Sequence, residues 1–255
     1  MQSYTSDLAN WLVAVGTMAL AITSVFHESI RRLFFRPRLT ISISTEPPDC
    51  VKTQLIWQGS FVVGGVPVVT APMMGVSSMT NASLMSTSQD PIPVYYLRVR
   101  VTNQGSAVAD EVEMEITRVR RKSQDGKFRA VPYGVGNLTC ASKGGATWEH
   151  IYPGRFRFFD LGRIVDPKAD WRNKSEDFGH PETKFEIELN TKPAMRDHIL
   201  QAGEYLFDVT AFAQNAKQSS EKIYLRHTGE WYDEESRMLS EGVGVRVEPS
   251  PRHLD

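Results

Sequence analysis

The sequence predicts a mainly β protein in which an N-terminal transmembrane α-helix precedes an antiparallel β-sandwich or a small barrel. Two features of its 255 residues predict this class. An uncharged apolar segment lies close to the N-terminus, and beyond it apolar and polar residues alternate in short runs separated by turn residues. A period of two residues is typical of half-buried strands. We therefore expect a helix with a basic connector at 1–38, a β domain at 39–247 and a tail at 248–255.

The apolar segment from Leu8 to Phe26 is about long enough to span a bilayer. The first basic residue, Arg31, follows the segment, so we expect no secretory signal peptide. The basic cluster that continues to Arg38 predicts, by the positive-inside rule, a single pass through the inner (plasma) membrane. The N-terminus would then lie outside and the β domain in the cytoplasm. A buried or interfacial helix is the alternative.

Small or polar residues recur along the predicted helix at alternating steps of three and four. This spacing is typical of a seam that faces a partner helix, and small residues let helices approach closely in lipid. It predicts a homo-oligomer, with membrane lipid as the other partner. In a dimer or trimer the stripe is a packed seam, whereas in a ring of four or more it lines a narrow pore. The stripe consists of Asp7, Asn10, Ala14, Thr17, Ala21, Ser24, Glu28 and Arg31.

Past Arg38 the period becomes that of strands. The segment VRVTNQGSAVADEVEMEI resembles the Asn-x-Gly hairpin region of bacterial immunoglobulin-like β-sandwich modules, and this resemblance implies a sandwich. A short helix is expected over 231–242, followed by a last strand. The seven predicted strands are 39–45, 94–105, 110–121, 155–165, 183–190, 203–214 and 221–229.

Residues 54–92 do not follow the strand pattern. They are rich in Val, Met, Gly, Ser and Thr, and Asp90 is their one charged residue. The insertion is either a buried hairpin or an apolar flap that meets a neighbouring subunit or the membrane surface.

Motifs that carry enzymatic chemistry are absent from the sequence, so we expect no enzyme, no metal and no cofactor. There is no phosphate-binding loop, dinucleotide fingerprint or Gly-x-Ser-x-Gly elbow, and Cys50 and Cys140 build neither a disulfide framework nor a metal site. The net charge of −1 provides no basic field for nucleic acid. One loop is crowded with titratable groups and is either a solvated loop or a cation or catalytic site: Asp166, Asp170, Glu176, Asp177 and His180.

Arginine and lysine side chains on two predicted strands are candidates for binding an anionic ligand, a nucleotide signal or a phospholipid. If 94–103 and 110–117 form a hairpin, Arg98 and Arg100 are instead neutralised by the glutamates of the facing strand. The candidates without an evident local partner are Arg118, Arg120, Arg121, Lys122, Arg155 and Arg157.

The layout of a short span, a basic connector and a compact β domain resembles single-pass membrane effectors of bacterial anti-phage defence. This resemblance implies a cytosolic sensing domain that controls a membrane-perturbing helix bundle or ion-permeable pore. The alternative is a passive membrane-tethered adaptor or scaffold that binds a cytosolic protein partner through its β-sandwich.

Overall fold

We describe a computed structural model of the chain. The structure describes residues 10–24, 35–55, 61–63, 66–68, 91–132, 134–167, 182–193 and 197–248.

Two seven-stranded antiparallel sheets pack face to face as a sandwich. The first sheet has the order β1 (Leu39–Ser42), β5 (Ile92–Asn103), β11 (Phe156–Val165), β12 (Phe185–Ile187) and β13 (Ile199–Leu200), with β2 (Cys50–Leu55) on β5 and β9 (Thr139–Cys140) on β11. The second has the order β10 (Thr147–Ile151), β6 (Ala109–Lys122), β14 (Gly203–Phe212), β15 (Ser219–His227) and β16 (Val243–Glu248), with β7 (Phe128–Val131) and β8 (Gly136–Asn137) on β6. β3 (Phe61–Val63) and β4 (Val66–Val68) form a separate pair.

The core lies between the sheets, and the alternation of the sequence explains which side chains enter it. Val112, Met114 and Ile116 of β6 are fully buried, as the period of two residues predicts. All seven predicted strands are present, and the two-sheet arrangement selects the sandwich over the barrel. The largest fully buried side chains are Tyr95, Phe159, Phe185, Tyr205 and Phe207.

The hairpin considered for 94–103 and 110–117 does not form, because β5 and β6 belong to different sheets. The chain crosses from one sheet to the other through residues 104–108. Arg98 therefore pairs with Asp160 of β11 at 3.0 Å, and Arg100 pairs with Asp49 at 2.5 Å. The glutamates of β6 are not the partners of these arginines.

The described part of the N-terminal helix is residues 10–24, which lie within the predicted span from Leu8 to Phe26. Among the residues that the structure describes, no helix is both long and apolar enough to cross a membrane. Asp7, Glu28 and Arg31 of the predicted stripe lie outside the described residues.

The predicted C-terminal helix is a single turn, Glu235–Arg237, continued by a π-helical turn, Met238–Gly242. β16 follows it as the predicted last strand. Most of the 54–92 insertion lies outside the described residues, and so does the 166–180 loop beyond Pro167.

Candidate functional site

The N-terminal helix presents apolar side chains to solvent along its whole described length. All of residues 10–24 are exposed, and the segment carries no charge. A helix that is apolar nearly all round is normally buried in a protein core or in lipid. Within the part of the chain that the structure describes, this helix keeps its apolar surface exposed. Its large apolar residues, each more than half exposed, are Trp11, Leu12, Val13, Val15, Met18, Leu20 and Ile22.

The described part of the predicted seam occupies one face of this helix. At about 100° per residue, its five members fall within an arc of about 80°. The Thr17 hydroxyl donates to the Val13 carbonyl at 2.8 Å, so its donor is used within the helix. The face is narrow and carries only short side chains, which allows another helix to approach closely. Its members are Asn10, Ala14, Thr17, Ala21 and Ser24.

The basic residues at the end of β6 have partners on the neighbouring strand β14. Arg120 forms a salt bridge with Asp208, and Arg118 lies 3.9 Å from the same carboxylate. Lys122 binds Glu204 at 2.9 Å, and with the Tyr224 hydroxyl it lowers the pKa of that carboxyl. Two carboxylates thus offset two of the four positive charges that this end of β6 carries.

The structure does not bring all the predicted ligand-binding residues together. Arg121, at the end of β6, donates to the Ala202 carbonyl at 3.1 Å and lies over the Tyr205 ring. Arg157 lies over the Trp148 ring, with its guanidinium 5.2 Å from the ring centroid, and Arg155 is exposed. Because β11 begins beside the last residues of β5, these two arginines lie near the first residues of β6, at the opposite end from Arg121.

A buried charge network lies on the outer face of the first sheet. Arg163 of β11 contacts Glu186 at 3.0 Å and Glu188 at 3.0 Å, and both carboxylates are less than one-tenth exposed. Lys192 also binds both carboxylates, at 2.8 and 3.3 Å. Two cations thus balance two anions, as burial of charge requires.

Electrostatics in this network favour the charged form of Arg163. Burial by itself lowers the pKa of Arg163, but Glu188 and Glu186 outweigh it and raise that pKa. Burial raises the pKa of Asp160, and the adjacent Arg98 opposes this rise. In the described part of the chain, no group of three or more His, Cys, Asp or Glu residues could hold a metal ion. The network can cross-link strands β11 and β12, and its charges are already matched internally.

Four segments meet at the end of the sandwich where the chain arrives from the N-terminal helix: residues 35–38, 104–108, 152–155 and 213–218. We call this the connector end. The Arg36 carbonyl accepts from Ser106 N at 3.2 Å, and the Arg38 carbonyl accepts from Gln104 N at 2.7 Å. Arg38 also forms a parallel β-bridge with Lys217.

Two buried or crowded residues hold the connector end together. The Asn103 side chain makes four hydrogen bonds to backbone groups of Arg38, Gly105, Ala107 and Ile151. A Cβ on Gly105 would lie 2.2 Å from the Arg36 carbonyl oxygen, so only glycine fits there.

The connector end also contains an open groove. Its volume is about 1230 Å³, and residues 35–37 of the connector and 214–217 of the β14–β15 loop contribute to its walls. No local sequence pattern indicates this convergence, because its parts lie in four separate stretches of the chain.

Comparison of the chain with known protein families and with curated proteins finds no match.

Proposed function

We propose that the protein is a membrane-anchored, self-assembling effector. Its N-terminal helix inserts into lipid, the small-residue face of that helix packs against copies of itself, and the β-sandwich stays at the cytoplasmic surface. Binding of a small anionic signal or a protein partner to the sandwich then changes how the helices pack. In the finer form of the proposal the assembled helices line an ion-permeable path, as in the anti-phage effectors that the layout resembles.

The exposed apolar helix is the observation that carries this proposal. Seven large apolar side chains on residues 10–24 are more than half exposed. Apolar surface transferred from water to lipid gains about 25 cal/mol per Å², so such a helix is far more stable in a bilayer than in water. The sequence adds that no charge interrupts the stretch from Leu8 to Phe26.

Self-assembly is supported by the face that lacks large side chains. Lipid tails pack well against large apolar side chains such as Leu. A helix that only anchors the protein therefore does not need a face of small residues. Ala14 and Ala21 leave room for close approach, and an amide such as that of Asn10 can donate a hydrogen bond across a helix pair.

The second candidate is a passive membrane-tethered adaptor, in which the same face is only a dimer seam. The exposed helix favours both candidates equally, so permeability and subunit number separate them. A mass measurement in detergent distinguishes a dimer from a ring of four or more.

The test replaces Asn10, Thr17 and Ser24 by Leu in the full-length protein. For an effector we expect the variant to bind vesicles but to lose both the larger assembly and the leakage of an encapsulated dye. The matched control places Leu at Ala19 and Thr23, which lie on the opposite face at helical spacing, and should keep both.

Three outcomes decide between the candidates. Wild-type protein that stays off vesicles refutes the proposal in both forms. Wild-type protein that binds as a dimer without leakage supports the adaptor. An N-terminal tag that remains accessible from the side of the β domain shows that the helix lies in the interface and does not cross.

A further inference from the structure

Three of the four exposed large apolar side chains of the described sandwich lie in the connector end or, for Phe156, next to it in sequence. Phe35 is 54% exposed, Tyr152 is 56% exposed and Phe156 is 43% exposed. Among the described residues outside the N-terminal helix, Val135 is the one other large apolar side chain that is exposed. Aromatic side chains are the residues that favour the boundary between lipid and water.

The same end carries basic side chains that the fold does not neutralise. Arg38, Arg155 and Lys217 are exposed, and none of them forms an ion pair within the described residues. Asp110, a carboxylate in the wall of the groove, is already engaged, because it contacts His150 at 3.0 Å and Asn215 at 2.8 Å. At the opposite end of β6, Arg118 and Arg120 pair with Asp208 and Lys122 pairs with Glu204.

The third observation is the position of the connector end in the chain, close after the N-terminal helix. The chain enters the sandwich at this end directly from the segment that follows the N-terminal helix, so a membrane that held the helix would face it. Only residues 25–34 separate the described helix from Phe35. Even fully extended, ten residues reach no further than about 35 Å.

We propose that the connector end is a membrane-facing platform that binds the headgroups of anionic phospholipids. Arg38, Arg155 and Lys217 meet the negative surface, and the exposed aromatic side chains lie at the boundary of the acyl region. Charge complementarity selects anionic lipid over neutral lipid. This inference rests on the proposed membrane association. It adds the class of lipid and the surface of the sandwich that binds it.

The test measures binding of the full-length protein to vesicles of phosphatidylcholine alone and to vesicles that also contain phosphatidylserine. Each basic side chain close to an anionic surface contributes about fivefold to binding, so we expect at least a tenfold increase with phosphatidylserine. The triple variant R38Q/R155Q/K217Q should lose this increase and retain binding to neutral vesicles. High salt should reduce the increase for the wild type, because it screens exposed charges.

The matched control is R118Q/K127Q/R129Q, which removes three exposed basic residues at the other end of β6. It should keep the increase. Equal loss of the increase in the two variants would overturn the platform and indicate an effect of net charge alone. Wild-type binding that does not increase with phosphatidylserine would also overturn the platform. Binding to anionic vesicles without any binding to neutral vesicles would refute the helix anchor while leaving the platform standing.

Discussion

Replacement of Asn103 by Ala tests whether one buried amide joins the connector to the sandwich. The Asn103 Oδ1 atom accepts from Arg38 N at 3.2 Å and from Gly105 N at 2.9 Å. Its Nδ2 atom donates to the carbonyls of Ala107 at 2.7 Å and Ile151 at 2.9 Å. Each hydrogen bond contributes about 1 kcal/mol net, and a buried carbonyl left without a donor adds to the cost. We expect a loss of about 3 to 5 kcal/mol in the free energy of unfolding.

Urea unfolding followed by tryptophan fluorescence measures this loss, and thermal unfolding should show a decrease in Tm of about 8 to 16 °C. Asn137→Ala is the matched control, because the Asn137 side chain makes one hydrogen bond, to Glu113 at 3.1 Å, and should cost about 1 kcal/mol. If the two variants lose the same stability, the Asn103 amide does not join the connector to residues 104–108 and Ile151.

Three further predictions concern the sandwich. Burial lowers the pKa of His227 to about 4, against a modest opposing effect of the Gln201 backbone. The unfolded state therefore takes up a proton first as the pH falls below about 6.5, so wild type should lose about 2 kcal/mol more than His227→Gln between pH 7 and pH 5, measured by urea unfolding. Gly105→Ala should displace the connector and lower Tm by several degrees, because its Cβ would lie 2.2 Å from a carbonyl oxygen, whereas Gly244→Ala, with open space around its Cβ and no positive φ, should cost less. Phe207→Ala, in the middle of the core, should cost about 3 to 5 kcal/mol, and a loss below 1 kcal/mol would contradict the core position.

The Asn-x-Gly signature illustrates how far a local pattern reaches. The sequence predicted a turn at Asn103-Gln104-Gly105, and the turn is present, with Gly105 N donating to the Asn103 side chain. The two strands that it joins do not pair with each other. The turn residues specify a reversal of the chain, but not whether the returning strand stays in the same sheet.

The charged residues show the same limit. Arg98 and Arg100 share one face of β5, as the alternation of the sequence predicts, whereas their partners, Asp160 and Asp49, come from distant segments. The alternation of apolar and polar residues indicates which side chains share a face of a strand. It does not indicate which other strand lies beside that strand. The missing partners of Arg120 and Lys122 were found on β14 for the same reason.

By itself the sequence determined the local features: seven strands with their buried faces, the uncharged apolar helix and the short C-terminal helix followed by a strand. These follow from the periodicity of hydrophobic residues, which depends only on neighbours along the chain. The tertiary structure decided which strands share a sheet, which acids neutralise which bases, and that Tyr152, Phe156 and Lys217 gather beside the connector. Such contacts join residues far apart in the chain, so they are set by the packing of the two sheets and not by any local pattern.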